Sequence, residues 1–261
     1  MTTVLMLGDI VSSMGVAALR RRLKGLKEDF AIDFVVSNGE NATGGIGLDK
    51  KTAKEILDCG VDCITLGDHT WSKKDLIQTL DEKPHKVIRP INFPKGAPGV
   101  GASIFELSNG KTIGVANAIG RVFFNQALDC PFKAIDELLE SEFKSCDFKL
   151  LDFHAEATSE KIAMGHHVDG RFSLVVGTHT HVQTADERVL PKGTGFLTDL
   201  GMCGPDDGVI GMDSDQALGR FISGLPYPYK PAKGIPVISG LIASFAEKGV
   251  TLQRVREFVK V

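Results

Sequence analysis

Three times within the first 70 residues, a short apolar run ends at a glycine that an acidic residue follows. The three pairs are Gly8-Asp9, Gly39-Glu40 and Gly67-Asp68. Segments with apolar residues at spacings of three and four lie between them, which is the period of an amphipathic helix. Strands that alternate with helices in this way favour a parallel sheet with crossover connections. We therefore expect an α/β fold in which the three acids meet beyond the carboxyl ends of the strands, where such sheets bind ligands.

A lone acid after a strand is usually a helix cap or a turn residue. Three in succession make that interpretation less attractive, and the second half of the chain adds histidines in equivalent places. His154 follows the apolar run Phe148–Phe153, and His179 and His181 follow the run Phe172–Val176. If the segment after Val176 is extended, the i, i+2 spacing points both imidazoles to the same side.

The remaining elements complete a layout of two sheets covered by helices. An Asn109-Gly110 turn predicts a hairpin between strands 102–107 and 112–116, and a terminal hairpin is predicted over 236–245 and 250–259. A helix is predicted from its apolar positions between Val16 and Phe30, with Ser12 or Ser13 as its cap. Further helices are predicted over 49–58, from a cap near Ser72, over 132–143 and over 159–164. We find no linker or repeat, so the sequence predicts one domain over residues 1–261.

The composition narrows the class of protein. The chain has 261 residues, a formal net charge of −3 and 43% hydrophobic residues, so we expect no general attraction to DNA. No apolar run approaches the roughly 20 residues of a membrane span, and the N-terminal residues do not look like a leader. Five cysteines form no disulfide framework. We expect a cytoplasmic protein without a membrane partner.

Eight polar residues at strand ends form the candidate site. They are Asp9, Glu40, Asn41, Asp68, His69, His154, His179 and His181. Carboxylates together with imidazoles suit Mn, Fe, Zn or Co better than Mg or Ca, which favour oxygen ligands. Two such ions about 3.5–4 Å apart can activate a hydroxide and stabilise both oxygens of a displacement at phosphorus.

The order of these motifs resembles the calcineurin-like metallophosphoesterases, in particular the YmdB-like cyclic-nucleotide phosphodiesterases of bacteria. The motifs are Gly8-Asp9-Ile10-Val11, Ser37-Asn38-Gly39-Glu40-Asn41-Ala42, Gly67-Asp68-His69-Thr70-Trp71, Asp152-Phe153-His154-Ala155-Glu156 and Gly177-Thr178-His179-Thr180-His181. The similarity runs almost from end to end and includes Thr198-Asp199-Leu200-Gly201-Met202. It implies a four-layer α/β/β/α sandwich, which agrees with the elements predicted above.

The resemblance also implies roles for the site residues. Asp9, Glu40, Asn41 and His181 would hold the first ion. Glu40, Asp68, His154 and His179 would hold the second, with Glu40 bridging the two. His69 would bind no metal and would act as general acid or orient the phosphate. The implied reaction is attack of a metal-bridging hydroxide on a 2′,3′-cyclic nucleotide, with 3′,5′-cyclic nucleotides as the second choice, and Fe or Mn as the preferred ions.

Position 68 departs from the family pattern, which usually has Asn in a Gly-Asn-His motif. With Asp68, the negative charges of three carboxylates and a hydroxide equal the positive charges of two divalent ions. With Asn at this position, one net positive charge would remain. We hypothesise that Asp68 favours a more highly charged pair, such as Fe(III) with a divalent ion.

Other functions stay open from the sequence alone. The same centre could serve a phosphomonoesterase or a phosphoprotein phosphatase. A regulator that binds nucleotide or RNA without turnover is a different class, which the complete ligand set disfavours. RNA ends as substrates, a homo-oligomer, and Zn, Co or Mg as the ions are also compatible with the sequence.

Overall fold

A computed structural model describes residues 1–260. Its first sheet has seven strands, in the order β2-β11-β12-β1-β3-β4, with β13 pairing with β12. These strands are β1 (Thr2–Leu7), β2 (Asp9–Ile10), β3 (Phe34–Asn38), β4 (Cys63–Thr65), β11 (Met202–Pro205), β12 (Pro236–Ala246) and β13 (Gly249–Phe258). Strands β1, β3 and β4 are parallel, and β12 runs antiparallel to β1 and β13.

The second sheet has six strands, in the order β5-β6-β7-β8-β10-β9. They are β5 (Ala102–Glu106), β6 (Thr112–Ile119), β7 (Phe148–His154), β8 (Leu174–Thr178), β9 (Arg188–Val189) and β10 (Gly195–Leu197). Strands β6, β7, β8 and β10 are parallel, and the predicted hairpin joins β5 to β6. One helix connects β6 to β7 and another connects β7 to β8, as is usual between parallel neighbours.

Six helices cover the two sheets. They are α1 (Ser12–Asp29), α2 (Lys50–Asp58), α3 (Lys74–Thr79), α4 (Pro131–Glu140), α5 (Thr158–His167) and α6 (Ser214–Ser223). Within residues 1–260, none of them combines the length and the apolar character that crossing a membrane requires.

Three apolar clusters separate four layers, and β1 shows how the strands divide between them. Leu5 faces one way and packs with α1 and α2, whereas Val4 faces the other way into the space between the sheets. On the second sheet, Leu150 fills the same central space, and Leu151 packs on the opposite face with Met164 of α5. The alternation follows the two-residue period of a strand. The predicted α/β/β/α sandwich is confirmed.

Some local predictions were wrong. Neither Ser12 nor Ser13 caps α1, because the helix begins after Val11 without a side-chain cap, and Ser12 has a positive φ of 60°. Ser72 does not cap α3, which begins after Lys73. Both strand-to-helix turns contact the site region, where tertiary packing decides the backbone path rather than the local capping preference.

The fold brings the carboxyl ends of five strands to one place between the two sheets. Strands β1, β3 and β4 end just before Asp9, Glu40 and Asp68, and β7 ends at His154 itself. Strand β8 ends just before His179. Residues that are up to 170 positions apart in the chain therefore approach one another, as the hydrogen bond from His179 to Asp9 records.

Candidate metal centre

Four side chains form a compact cluster at this edge. Ligand atoms of Glu40, Asp68, His154 and His179 all lie within 4.8 Å of one another. The Nε2 atom of His154 is 3.0 Å from Glu40 Oε1 and 3.0 Å from Asp68 Oδ1. Glu40 and His154 are almost completely buried, whereas Asp68 and His179 are partly exposed. These are the four residues that the family resemblance implies for the second ion.

The residues implied for the first ion lie beside this cluster. His181 Nε2 is 4.0 Å from Asp9 Oδ1, and Asn41 follows the shared Glu40. Asp9 Oδ1 and Asn41 Oδ1 are buried and have no hydrogen-bond partner within residues 1–260. A buried acceptor without a partner costs about 1–3 kcal/mol, and a cation would satisfy both oxygens. The structure therefore fits a metal ion at this position as well.

His179 and His181 each have one ring nitrogen, the outer one, beside a hydrogen-bond acceptor and turn the other towards the site, where His179 Nδ1 lies 3.0 Å from His154 Nε2. His179 Nε2 lies 3.0 Å from Glu156 Oε2, and His181 Nδ1 lies 2.8 Å from the carbonyl oxygen of Ile210. Because these oxygens only accept, the outer nitrogens carry the protons. Metal-binding histidines are fixed in this way by their second nitrogen.

His154 is held by a longer relay. Its Nδ1 lies 2.9 Å from Thr178 Oγ1, and that hydroxyl donates to Asp152 Oδ1 at 2.7 Å. Since the threonine proton points at the carboxylate, the threonine oxygen accepts from His154 Nδ1. Asp152 is completely buried, and this burial raises its pKa to about 6. The relay turns His154 Nε2 towards Glu40 and Asp68.

Asp9 and Glu40 each use one carboxylate oxygen for the backbone and leave the other for the site. Asp9 Oδ2 accepts from the His179 amide at 3.1 Å, and Glu40 Oε2 accepts from the His69 amide at 3.0 Å. The amide of the Asn41 side chain likewise donates to the carbonyl oxygen of Gly45 at 3.1 Å, so its oxygen is left free. The arrangement concentrates acceptor atoms and negative charge in a buried space, which is what a cation site requires.

The charged groups of the cluster shift the pKa values of His154 and Asp68. Burial opposes protonation of His154, but the negative charge of Glu40 and hydrogen bonds to Asp68 and Glu40 raise its pKa well above the usual range. Burial also opposes ionisation of Asp68, yet hydrogen bonds with His154 and His179 hold its pKa well below the usual range. Both shifts show that the pocket attracts positive charge.

His69 takes a different position from the ligands. It does not belong to the four-residue cluster, and its Nδ1 lies 3.5 Å from Asp68 Oδ2. Its side chain is about one-third exposed. It lines a cavity of about 450 Å³ together with Glu40, Asn41, His179 and His181. This volume lies in the range of about 300–1,000 Å³ that small-molecule sites have.

The histidine loop differs from the geometry that the sequence argument assumed. It is not extended, because His179 and His181 have positive φ values of 103° and 63°. The two imidazoles nevertheless reach the same region, since the backbone turns sharply at both residues. Non-glycine residues in this region of φ store about 1–3 kcal/mol each and cluster at functional sites.

The supporting roles of Asp152 and Thr178 behind the ligands were not predicted from the sequence. Asp152 precedes His154 by two positions in β7, so the strand period places both side chains on one face. Thr178 pairs directly with His154 in the sheet register. The first relation is visible in the sequence, whereas the second requires the strand pairing.

The chain resembles known proteins over nearly its whole length. A family model described as YmdB-like protein matches residues 5–258. A 2′,3′-cyclic-nucleotide 2′-phosphodiesterase of Bacillus subtilis (strain 168) is 44% identical over 255 residues, covering 97% of this chain and 96% of that protein.

Two crystal structures have the same fold. A hypothetical protein from Thermus thermophilus superposes with a TM-score of 0.93 and 38% identity, covering 98% of this chain and 99% of the other. A novel phosphatase from Mycoplasma pneumoniae gives a TM-score of 0.91 and 34% identity, covering 98% of this chain and 93% of the other.

The relay predicts that Thr178→Val weakens metal binding, because His154 loses the acceptor that fixes its ring. We expect the dissociation constant for Mn²⁺ to rise about 10–100-fold, measured by titration calorimetry. Thr178→Ser keeps the hydroxyl and serves as the control, with affinity close to that of the wild type. Equal affinities in all three proteins would contradict the relay.

Proposed function

Because the chain belongs to the YmdB-like family, we propose that it is a metal-dependent phosphodiesterase that hydrolyses 2′,3′-cyclic nucleotides at a dinuclear centre. The relative from Bacillus subtilis carries the name of this activity. The observation that supports the proposal most is the convergence of imidazole nitrogens and carboxylate oxygens within one small cluster. Hydrolysis of phosphoric esters is the activity common to the named relatives.

We assign the ions to two adjacent sets of residues. Asp9, Glu40, Asn41 and His181 would hold the first ion, and Glu40, Asp68, His154 and His179 the second. Fe or Mn fits this mixture of carboxylates and imidazoles best. When bound, the ions would lower the pKa of water and neutralise charge on the phosphate.

The protein's own groups would then position the substrate and move its proton. His69 lines the cavity but stays outside the cluster, so it can donate a proton to the leaving oxygen. Asp68 Oδ2, at 3.5 Å from His69 Nδ1, lies close enough to orient that imidazole towards the cavity. The buried carboxylates and the closed packing beneath them keep bulk water away from the inner side of the site.

The proposal also covers the partners. RNA ends that carry the same cyclic phosphate are the secondary substrate class, with 3′,5′-cyclic nucleotides behind them. A cytoplasmic location and a homo-oligomer stay predictions of the sequence. A phosphomonoesterase is the second candidate, because the similar protein of Mycoplasma pneumoniae is described as a phosphatase.

A substrate panel tests the function directly. We expect the protein with Mn²⁺ or Fe²⁺ to hydrolyse 2′,3′-cyclic nucleotides faster than 3′,5′-cyclic AMP, nucleoside monophosphates or phosphopeptides. Product analysis by chromatography should show opening of the P–O2′ bond. Glu40→Ala removes the shared carboxylate and should abolish both metal binding and turnover.

Other results on the panel would overturn the proposal. Preference for monoesters would favour the phosphatase. No hydrolysis with any metal, together with nucleotide or RNA binding that survives in Glu40→Ala, would favour a non-catalytic regulator.

The position of His69 predicts a separation of chemistry from metal binding. His69→Ala should lower kcat about 10²–10⁴-fold, the usual contribution of a general acid, while the metal content stays that of the wild type. Elemental analysis and steady-state kinetics measure the two quantities. Loss of metal from this variant would show that His69 is a ligand instead.

The charge of Asp68 predicts a change in metal preference. Asp68→Asn removes one negative charge from the cluster, so we expect less Fe(III) and more divalent ion than in the wild type. Elemental analysis and electron paramagnetic resonance of proteins purified without oxygen measure this. Identical metals and oxidation states in both proteins would exclude the hypothesis.

A further inference from the structure

A buried ion pair lies beneath the histidine loop and has no role in the reaction proposed above. Lys161 Nζ in α5 is 2.6 Å from Asp199 Oδ2, and both side chains are at most 2% exposed. Asp199 is the only hydrogen-bond partner of this ammonium group within the described residues. Apolar residues can often replace a buried pair without loss of stability, so stability alone is a poor reason for such a pair.

Asp199 holds the backbone between the two histidines. Its Oδ2 atom accepts from the amide of Thr180 at 3.2 Å. Thr180 lies between His179 and His181, whose positive φ values make this loop costly to maintain. Thr184 secures the far end of the loop, because its amide donates to the carbonyl oxygen of Asp199 at 3.1 Å.

The other oxygen of Asp199 is linked to the first metal position through two backbone hydrogen bonds. Asp199 Oδ1 accepts from the amide of Gly201 at 2.8 Å, and the carbonyl oxygen of Gly201 accepts from the amide of Asp9 at 3.1 Å. Gly201 has a positive φ of 77° and packs against Gln183. One carboxylate therefore supports the backbone of Asp9 and the loop of His179 and His181.

The side chain of Lys161 reaches Asp199 by passing close to Gly177, where a larger residue would block it. A Cβ atom on Gly177 would lie 2.8 Å from Lys161 Cδ and 1.9 Å from the carbonyl oxygen of Thr198. The ammonium group then neutralises Asp199, whose charge would otherwise add to those of the three carboxylates of the centre. The ammonium group also holds Asp199 Oδ2 in the position where this oxygen accepts from the Thr180 amide.

We propose that Lys161 and Asp199 are a positioning pair that sets the affinity of the first metal position, formed by Asp9, Asn41 and His181. This rests on the metal centre of the proposed function. The second position depends less on the pair, because His179 shares the loop but Glu40, Asp68 and His154 are held by other contacts. Removing the pair should therefore weaken the first ion more than the second.

The test is a set of variants titrated with Mn²⁺. Lys161→Met leaves Asp199 buried and uncompensated, so it should lower both the melting temperature and the affinity. The double variant Lys161→Met/Asp199→Asn carries no buried charge and should recover the melting temperature. Because Asn offers one oxygen for the two amides of Thr180 and Gly201, the first Mn²⁺ position should stay about 10–100-fold weaker.

A matched control is available on the surface. Lys54 and Asp58 in α2 form an exposed pair at 2.5 Å, and Lys54→Met/Asp58→Asn makes the same chemical changes there. We expect this variant to bind two Mn²⁺ per chain with wild-type affinity. If Lys161→Met does not fold, the double variant alone decides the question.

The outcomes separate the two proposals. Wild-type protein that binds no Mn²⁺ would overturn the proposed function. Wild type with two ions, and a double variant with two ions of unchanged affinity, would overturn the positioning pair and leave the function standing. Affinity that returns together with the melting temperature would mean that the pair is only structural.

Discussion

The structure depends on a concentration of hydrogen-bond acceptors in a space that water hardly reaches. Glu40 and His154 are buried with Oε1 and Nε2 3.0 Å apart, and Asp9 adds a buried oxygen without a partner among the described residues. Such a group of atoms is unfavourable unless a cation joins it. The rest of the molecule can be understood as the framework that keeps these atoms together: two sheets bring the strand ends to one place, and the surrounding hydrogen bonds fix the ring orientations.

The sandwich explains why the ligands come from so many parts of the chain. Parallel strands end at the same edge of their sheet, and the central apolar layer brings the ends of both sheets together. The first sheet contributes carboxylates, and the second contributes the histidines at the ends of β7 and β8. Neither sheet alone would present both carboxylate and imidazole ligands, so the mixed site is a product of the packing of the two sheets.

The parts of the fold in which apolar residues recur at a regular spacing could be predicted from the sequence. The strand that precedes Asp9 and the helix over 49–58 were both predicted from the sequence pattern, and both are present. The division of the ligands into two sets came from the family resemblance, because residue spacing alone did not define it. The positive φ at His179 could not be predicted, because it depends on Asp9 and Asp199, which lie far away in the sequence. The same holds for Thr178, whose partner His154 is known only from strand register.

The ligands also stabilise one another through the backbone, and this links folding to the site. Asp9 binds the amide of His179 with one oxygen and leaves the other free, and Glu40 uses one oxygen in the same way for the amide of His69. A substitution at either acid would therefore disturb a loop as well as remove a charge. The loop geometry and the ligand set are parts of one hydrogen-bond network.

Asp199 extends that network outward, and the ammonium group of Lys161 in the helix layer neutralises the charge of Asp199. The hydrogen-bond network of the site therefore extends from the strand ends to the helix that carries Lys161.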